Sequence, residues 1–314
     1  MNKSLQIVPS FPSEMGADMQ VLLPKYFAEE LSGLSPLTLK VRRTDLTKFV
    51  QFYNSMYGNL NAKNWYPRDS RLFLDELGRQ GYAPSYRNRN LASIKSFGRW
   101  LWEYRYVDHD PVKGLREIQI ELQPKVIDER QLHRFYKIAD RLAAQPTHAK
   151  SQGFRNAVLA QTLEASGLRI EEVLSLTLEQ FVGNRFLNVK AKGGKVRSAV
   201  SIKKEVADLI RCYIRSYRTR GSNAIFTNRY GTRLSRNGVA QALNKIAALA
   251  SSAFAGGEMI KVSPHRFRHS HAKKLYDSTK DPVLVARRLG NGIKYVSRYA
   301  TASDSEIDSA IEKI

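Results

Sequence analysis

The sequence predicts a mainly α-helical protein with one small β-sheet, divided into two domains. Apolar residues recur at helical spacing through residues 21–110 and through much of 126–314. Alternating apolar and polar residues on both sides of Gly193-Gly194 predict a β-hairpin in the second region. Between the two regions, residues 111–125 are interrupted by proline and glycine, which is typical of a linker.

The first region reads as a small all-helical domain. Residues 1–20 contain proline and glycine and are expected to form a flexible lead. Ser35-Pro36 has the residue types of a helix N-cap and first turn, and apolar residues follow at helical spacing. A second helix is expected over Pro67 to Leu77 and a third from about Ser85.

The second region, residues 126–314, has its own helix boundaries. Ser263 and Pro264 predict the start of one helix, and Asp281-Pro282 predicts another that ends at Gly290. The last stretch, SDSEIDSAIEKI, predicts an amphipathic helix.

The hairpin concentrates positive charge. Pairing across a two-residue turn would place Lys192 opposite Lys195 and Lys190 opposite Arg197, so that all four share one face. Four cations on one face repel each other unless an anion lies there, although a solvent-facing basic hairpin remains the alternative. The other face would carry Leu187, Val189, Ala191, Val196 and Val200.

The composition narrows the class of protein. The formal net charge is +22, and residues 126–314 alone carry 33 basic and 16 acidic side chains. Such an excess predicts a polyanionic partner, most simply nucleic acid. No apolar run has the length of a membrane span, no secretory signal is evident, and Cys212 is the only cysteine, so a cytoplasmic protein without membrane contact is expected.

Two segments contain residues suited to binding a phosphate. Arg169 lies against the apolar residues of ASGLRIEEVLSL, where a guanidinium needs an anion. His265 and Arg268 share one face at a helix start, which itself attracts anions. His265 and His269 have the i, i+4 spacing of metal ligands, but no Glu or Cys completes a zinc site, so no metal or other cofactor is predicted.

Taken in order, ASGLRIEEVLSL, KAKGGKVRS, SPHRFRH and RRLGNGIKYVSRYAT resemble the motifs of the tyrosine recombinase (phage integrase) family. The resemblance covers nearly the whole chain. It implies a two-domain DNA clamp: residues 21–110 as a helical, SAM-like core-binding domain, 111–125 as linker, and 126–314 as the catalytic domain with a C-terminal exchange helix.

The resemblance also assigns residues. Arg169 matches the first family arginine, Lys192 the hairpin lysine with Lys195 as the alternative, and His265 and Arg268 the H-x-x-R motif. Asn291 stands where the family usually has His or Trp. Tyr299 matches the nucleophile, with Tyr295 as competitor.

The implied reaction is strand cleavage and rejoining through a covalent 3′-phosphotyrosine, with two arginines clamping the phosphate. The implied assembly is a homo-tetramer, or a hetero-tetramer with a related recombinase, on double-stranded DNA with an inverted-repeat site. Two alternatives share the scaffold: a type IB topoisomerase-like relaxing enzyme and a non-catalytic DNA-binding protein. Further DNA contacts are expected from Arg43, Arg87, Arg89, Lys95, Arg99, Lys190, Lys195 and Arg197.

Overall fold

The computed structural model describes residues 16–120, 124–144, 149–191, 194–253, 259–299 and 311–312. The chain splits into two compact units, Met1–Glu121 and Leu122–Ile314, each with its own apolar core. The described residues are mostly helical and contain one three-stranded sheet, which confirms the predicted fold class.

The first unit is all-helical. Ser35 caps its second helix by accepting from the Thr38 N–H at 3.2 Å, as its position before Pro36 predicted. Of the predicted lead, only residues 16–20 are described, and the first helix begins at Met19. The helices are α1 (Met19–Glu30), α2 (Pro36–Tyr57), α3 (Pro67–Arg79) and α4 (Pro84–Glu103), with a 3-10 turn at Ala62–Asn64.

Part of the predicted linker packs on this first unit. Val112 and Leu115 are buried in its core. A Cβ added at Gly98 of α4 would lie 2.7 Å from a Val112 methyl, so glycine permits this close approach. The Asn88 side chain then pairs with the backbone of Ile118 through two hydrogen bonds of 2.8 and 2.9 Å. The chain is therefore held to the first unit as far as residue 118.

The second unit places its sheet among helices that surround an apolar core. Ser263 caps the helix Pro264–Thr279, and Asp281 and Gly290 bound the helix Pro282–Leu289, as predicted. The helices are α5 (Glu129–Ala144), α6 (Ala149–Ser166), α7 (Ile170–Ser175), α8 (Lys204–Ser216), α9 (Arg236–Ser252), α10 (Pro264–Thr279), α11 (Pro282–Leu289) and α12 (Ile293–Val296), followed by a 3-10 turn at Ser297–Tyr299. The strands are β1 (Phe181–Val182), β2 (Arg185–Lys190) and β3 (Val196–Ser201), antiparallel in the order β1-β2-β3.

The hairpin is present, but its predicted register is wrong by one residue. Lys190 lies opposite Val196, and Val189 opposite Arg197. Ala191 donates its N–H to the Lys195 carbonyl at 2.7 Å, so three residues connect the strands instead of two. A shift of one residue moves side chains to the other face, and Arg197 therefore lies on the face of the buried Val189, whereas the exposed Lys190 lies on the opposite face with Val196.

The predicted C-terminal amphipathic helix lies outside the described residues except for 311–312. In the described part of the chain, no helix combines the length and the apolar content that crossing a membrane requires.

Candidate active site

Arg169 lies at the junction of α6 and α7. Gly167 ends α6 with a φ of 63°, which turns the chain so that Arg169 becomes the N-cap residue of α7. Glu172, one turn later, accepts the Arg169 backbone N–H at 2.8 Å and its guanidinium at 3.1 Å. The carboxylate is 3% exposed. A buried acid thus fixes both the backbone and the side chain of Arg169.

Arg268 lies on α10 and is buried, with 4% of its surface exposed. Its guanidinium donates to the carbonyls of Gly167 and Leu289, each at 2.6 Å. Burial, together with the charge of Arg169, lowers the pKa of Arg268 to about 10. Since carbonyls orient a cation without neutralising it, Arg268 retains an uncompensated charge that favours an anion.

Asn291 joins the two arginines. Its Oδ1 accepts from Arg169 Nη2 at 2.5 Å and from Arg268 Nη2 at 3.3 Å. Gly290, with a φ of 62°, ends α11 and places Asn291 at this point. Two guanidiniums that are distant in sequence therefore converge on one oxygen, which is the arrangement needed to hold an oxygen of a phosphate.

Positive charge exceeds negative charge around this point. Arg197 also contacts Glu172, so one carboxylate serves two guanidiniums. Behind them, Arg288 donates to the Ser201 carbonyl at 2.6 Å, and burial followed by the charge of Arg197 lowers the pKa of Arg288 to about 10. Such a cluster is stabilised by an anion.

Tyr299 is buried near the end of the described chain. It is 1% exposed and packs among Val285, Leu289 and Val296. Its hydroxyl is hydrogen-bonded to Nδ1 of His269, and burial, followed by the nearby Tyr295, raises the pKa of Tyr299. Burial followed by the charge of Arg298 lowers the pKa of His269 to about 4, so its neutral imidazole can accept a hydrogen bond from the Tyr299 hydroxyl.

Tyr295, the competing nucleophile, is partly buried beside Tyr299. The two ring centroids are 6.5 Å apart. The Arg298 guanidinium lies 3.9 Å from the centre of the Tyr295 ring, and the Arg298 Nε donates to the Tyr295 carbonyl at 2.8 Å. Tyr295 is therefore held by a cation–π contact, whereas the hydroxyl of Tyr299 is the one bound to a histidine.

The remaining predicted residues of the second unit are less tightly placed. His265 is exposed on the first turn of α10, and partial desolvation with the charges of Arg268, Arg236 and Arg169 lowers its pKa. Lys190 and Lys195 are exposed on the hairpin. Lys192 lies outside the described residues.

The predicted DNA contacts of the first unit divide into two groups. Arg89 and Arg87 are paired with carboxylates: Arg89 binds the buried Asp45 through bonds of 3.1 and 2.6 Å, and Arg87 binds Asp75 at 3.2 Å. The other three lie in different surroundings: Arg43 is exposed over the Phe27 ring, and Lys95 and Arg99 line a cleft of about 440 Å³ with acidic neighbours Glu30, Glu103 and Glu117.

Sequence reasoning assigned no role to two residues of this site. Glu172 had a readable signal, because an acid three residues after Arg169 has capping-box spacing. His269 directly follows Arg268 in sequence, but only the fold shows that it reaches Tyr299. Among the described residues, no group of three His, Cys, Asp or Glu side chains could hold a metal ion.

Comparisons with known proteins match both regions of the chain. The profile described as "Phage integrase family" matches residues 125–306, and "Phage integrase, N-terminal SAM-like domain" matches residues 25–104. Tyrosine recombinase XerC of Oceanobacillus iheyensis is 29% identical over 82% of this chain and 82% of its own length. Tyrosine recombinase XerD of Staphylococcus saprophyticus is 27% identical over 92% of this chain and 96% of its own length.

Solved structures show the same fold. The Tn1549 transposon integrase in complex with circular intermediate DNA superposes with a TM-score of 0.75 at 14% identity, over 95% of this chain and 99% of the other. The XerH site-specific recombinase bound to palindromic difH substrate gives 0.72 at 19% identity, over 93% and 83%.

Proposed function

The chain belongs to the phage integrase family and is a tyrosine site-specific recombinase, and we propose that it cuts and rejoins DNA through a 3′-phosphotyrosine at Tyr299. The observation that carries this proposal is the convergence of Arg169 and Arg268 on a single oxygen, that of Asn291. The scissile phosphate would take the place of this amide oxygen between the guanidiniums.

The clamp formed by Arg169 and Arg268 supplies the electrostatic part of catalysis. As the phenolic oxygen attacks phosphorus, negative charge grows on the non-bridging oxygens. Arg268 is held by backbone carbonyls and Arg169 by Glu172, so neither has to reorganise when that charge appears. Exposed His265 stands beside both arginines, where it would donate a hydrogen bond to the same phosphate.

The proton transfers complete the exchange. The Tyr299 oxygen bonds to phosphorus as its proton passes to a histidine, and His269 is the imidazole in contact with that hydroxyl. The bond from phosphorus to the 5′ oxygen breaks, and Lys192 would protonate the leaving oxygen. Attack by a different 5′-hydroxyl reverses these steps and releases Tyr299.

The proposal extends to the assembly. Four protomers, either identical or including a related recombinase, would act on an inverted-repeat site in bacterial cytoplasmic DNA. The palindromic substrate of the XerH complex supports a symmetric site. The basic surface supports strong, salt-dependent phosphate contacts. A topoisomerase-like activity is not favoured, since the relatives named above are recombinases and integrases.

A covalent-trapping experiment tests the proposal. The preferred site would be selected from a random duplex library and rebuilt as a nicked suicide duplex. Wild-type protein should form an adduct, stable in detergent, with the 3′ end of the cut strand. Tyr299→Phe should form none, and Tyr295→Phe should retain it. The reverse pattern would transfer the nucleophile to Tyr295, and no adduct with wild type would favour a non-catalytic DNA-binding protein.

Strand exchange separates recombination from relaxation. Two labelled copies of the selected site, incubated with wild-type protein, should yield recombinant duplexes. Adduct formation and supercoil relaxation without recombinants would instead support a topoisomerase-like enzyme.

A further inference from the structure

Arg197 occupies an unexpected place for a predicted DNA contact. Its side chain is 14% exposed and contacts Glu172, the acid that also holds Arg169. One terminal nitrogen binds the Glu172 carboxylate, and the other donates to the Arg288 carbonyl at 3.1 Å. The side chain therefore has its hydrogen bonds inside the protein, on the same face as the buried Val189.

These two bonds connect three segments that each carry a residue of the site. Glu172 belongs to α7, which begins after Arg169. Arg197 itself belongs to β3, the strand that leaves the lysine-bearing hairpin. Arg288 lies at the end of α11, two residues before Gly290 turns the chain into Asn291. One guanidinium thus fixes the relative positions of α7, β3 and the end of α11.

The shared carboxylate makes this link a direct one. Glu172 holds the guanidinium of Arg169 on one side and that of Arg197 on the other. If Arg197 is removed, the 3% exposed carboxylate keeps only Arg169 as a charged partner and is free to follow it. A small displacement at this point moves the clamp relative to the phosphate.

Stability alone does not account for Arg197. Its Nε is buried and has no hydrogen-bond partner among the described residues. A buried donor without a partner costs free energy, and this cost offsets part of the stability gained from the two terminal bonds. The residue type is explained by the planar fork, which reaches two acceptors on different segments at once.

We propose that Arg197 is a positioning residue that aligns Arg169, the hairpin and Asn291 for cleavage, acting through Glu172 and the Arg288 carbonyl. This inference rests on the proposed function, because it concerns the alignment of the proposed phosphate clamp. It replaces the expected DNA contact of Arg197 with a role inside the protein.

The test compares cleavage with DNA binding. Single-turnover cleavage of the suicide duplex should fall about 100-fold in Arg197→Ala, as expected for a misplaced catalytic group. Arg197→Lys should fall by a similar factor, since one ammonium cannot reproduce the fork. The dissociation constant for the duplex, measured in a Tyr299→Phe background, should not change. Arg185→Ala, which removes an exposed arginine from the neighbouring strand, should cleave like wild type.

Coupling to Glu172 supplies a second criterion. The double variant Glu172→Gln with Arg197→Ala should cleave no more slowly than the slower single variant, because both changes break one unit. Additive losses would overturn the proposal. A larger dissociation constant of Arg197→Ala for the duplex, together with a smaller salt dependence, would also overturn it, because that result indicates a direct phosphate contact.

A measurement without activity keeps this inference separate from the proposed function. In protein labelled with ¹⁵N-arginine, the Nε–Hε resonance of Arg169 is identified by its loss in Arg169→Lys. It should shift in Arg197→Ala and stay in place in Arg185→Ala. If the Arg169 resonance does not move in Arg197→Ala, the positioning role is overturned, even where the wild-type protein cleaves DNA normally. If the resonance shifts but the wild-type protein forms no adduct, only the proposed reaction is contradicted.

Discussion

Gly167→Ala should destabilise the second unit through two separable effects. Gly167 has a φ of 63°, and an alanine there costs about 1–2 kcal/mol of backbone strain. Its Cβ would also lie 2.3 Å from Cδ2 of His271. Displacing a packed imidazole costs a further ~1–3 kcal/mol. The free energy of unfolding should therefore fall by about 2–5 kcal/mol.

Two variants separate the contributions. In a His271→Ala background the ring is gone, so Gly167→Ala should cost only the strain of about 1–2 kcal/mol. Gly183→Ala is the matched control, since Gly183 has a φ of 60° and no atom within 4 Å of its added Cβ. It too should cost only the strain.

Urea unfolding followed by far-ultraviolet circular dichroism measures these free energies. Tryptophan fluorescence is an internal reference, because all three tryptophans, Trp65, Trp100 and Trp102, lie in the first unit. An equal cost of Gly167→Ala with and without the His271 ring would refute the steric reasoning. A cost no larger than that of Gly183→Ala would do the same.

Three further predictions follow. Asn291→Asp places a carboxylate between Arg169 and Arg268, so the free energy of unfolding measured in urea should rise by about 1–2 kcal/mol. Cleavage of the suicide duplex should fall about 100-fold or more, because the acid repels the phosphate. Burial lowers the pKa of His269 and of His271 to about 4. Between pH 4 and 6.5 the unfolded chain therefore binds more protons than the folded one. The free energy of unfolding, measured over a series of acidic pH values, should fall as the pH drops, by up to about 1.4 kcal/mol per pH unit for each histidine. Arg89→Ala leaves the carboxylate of Asp45 buried without its partner, and tryptophan fluorescence should report a loss of about 2–3 kcal/mol.

Each of these has a result that would contradict it. Cleavage by Asn291→Asp at the wild-type rate would mean that phosphate does not bind between the arginines. A flat acid series, or one unchanged by His271→Gln, would mean that the histidines are not buried in the neutral form. Unchanged stability with weaker DNA binding in Arg89→Ala would return Arg89 to the DNA contacts.

Local chemistry made several elements readable from the sequence. Ser35-Pro36, Ser263-Pro264 and Asp281-Pro282 each begin a helix because the side chain caps it and proline suits its first turn. These signals need no knowledge of the rest of the fold.

Features that depend on tertiary packing were not readable. The hairpin register was wrong because glycines at 193 and 194 favour a two-residue turn, whereas the strands pair around a longer connection that buries Val189. The position of Arg197 on the face of Val189 follows from that register. The contact between His269 and Tyr299 joins residues 30 positions apart, and no local pattern encodes it.

The burial of Tyr299 has a consequence for the integrity of the chromosome. In the reaction proposed above, the phenol would leave its apolar neighbours to reach a phosphate, and giving up such burial costs about 2–3 kcal/mol. This corresponds to a factor of about 30 to 150 in the fraction of protein ready to cut. Only a duplex that makes many contacts with the protein offsets that cost, so brief binding to random sequence would not lead to cleavage of the chromosome.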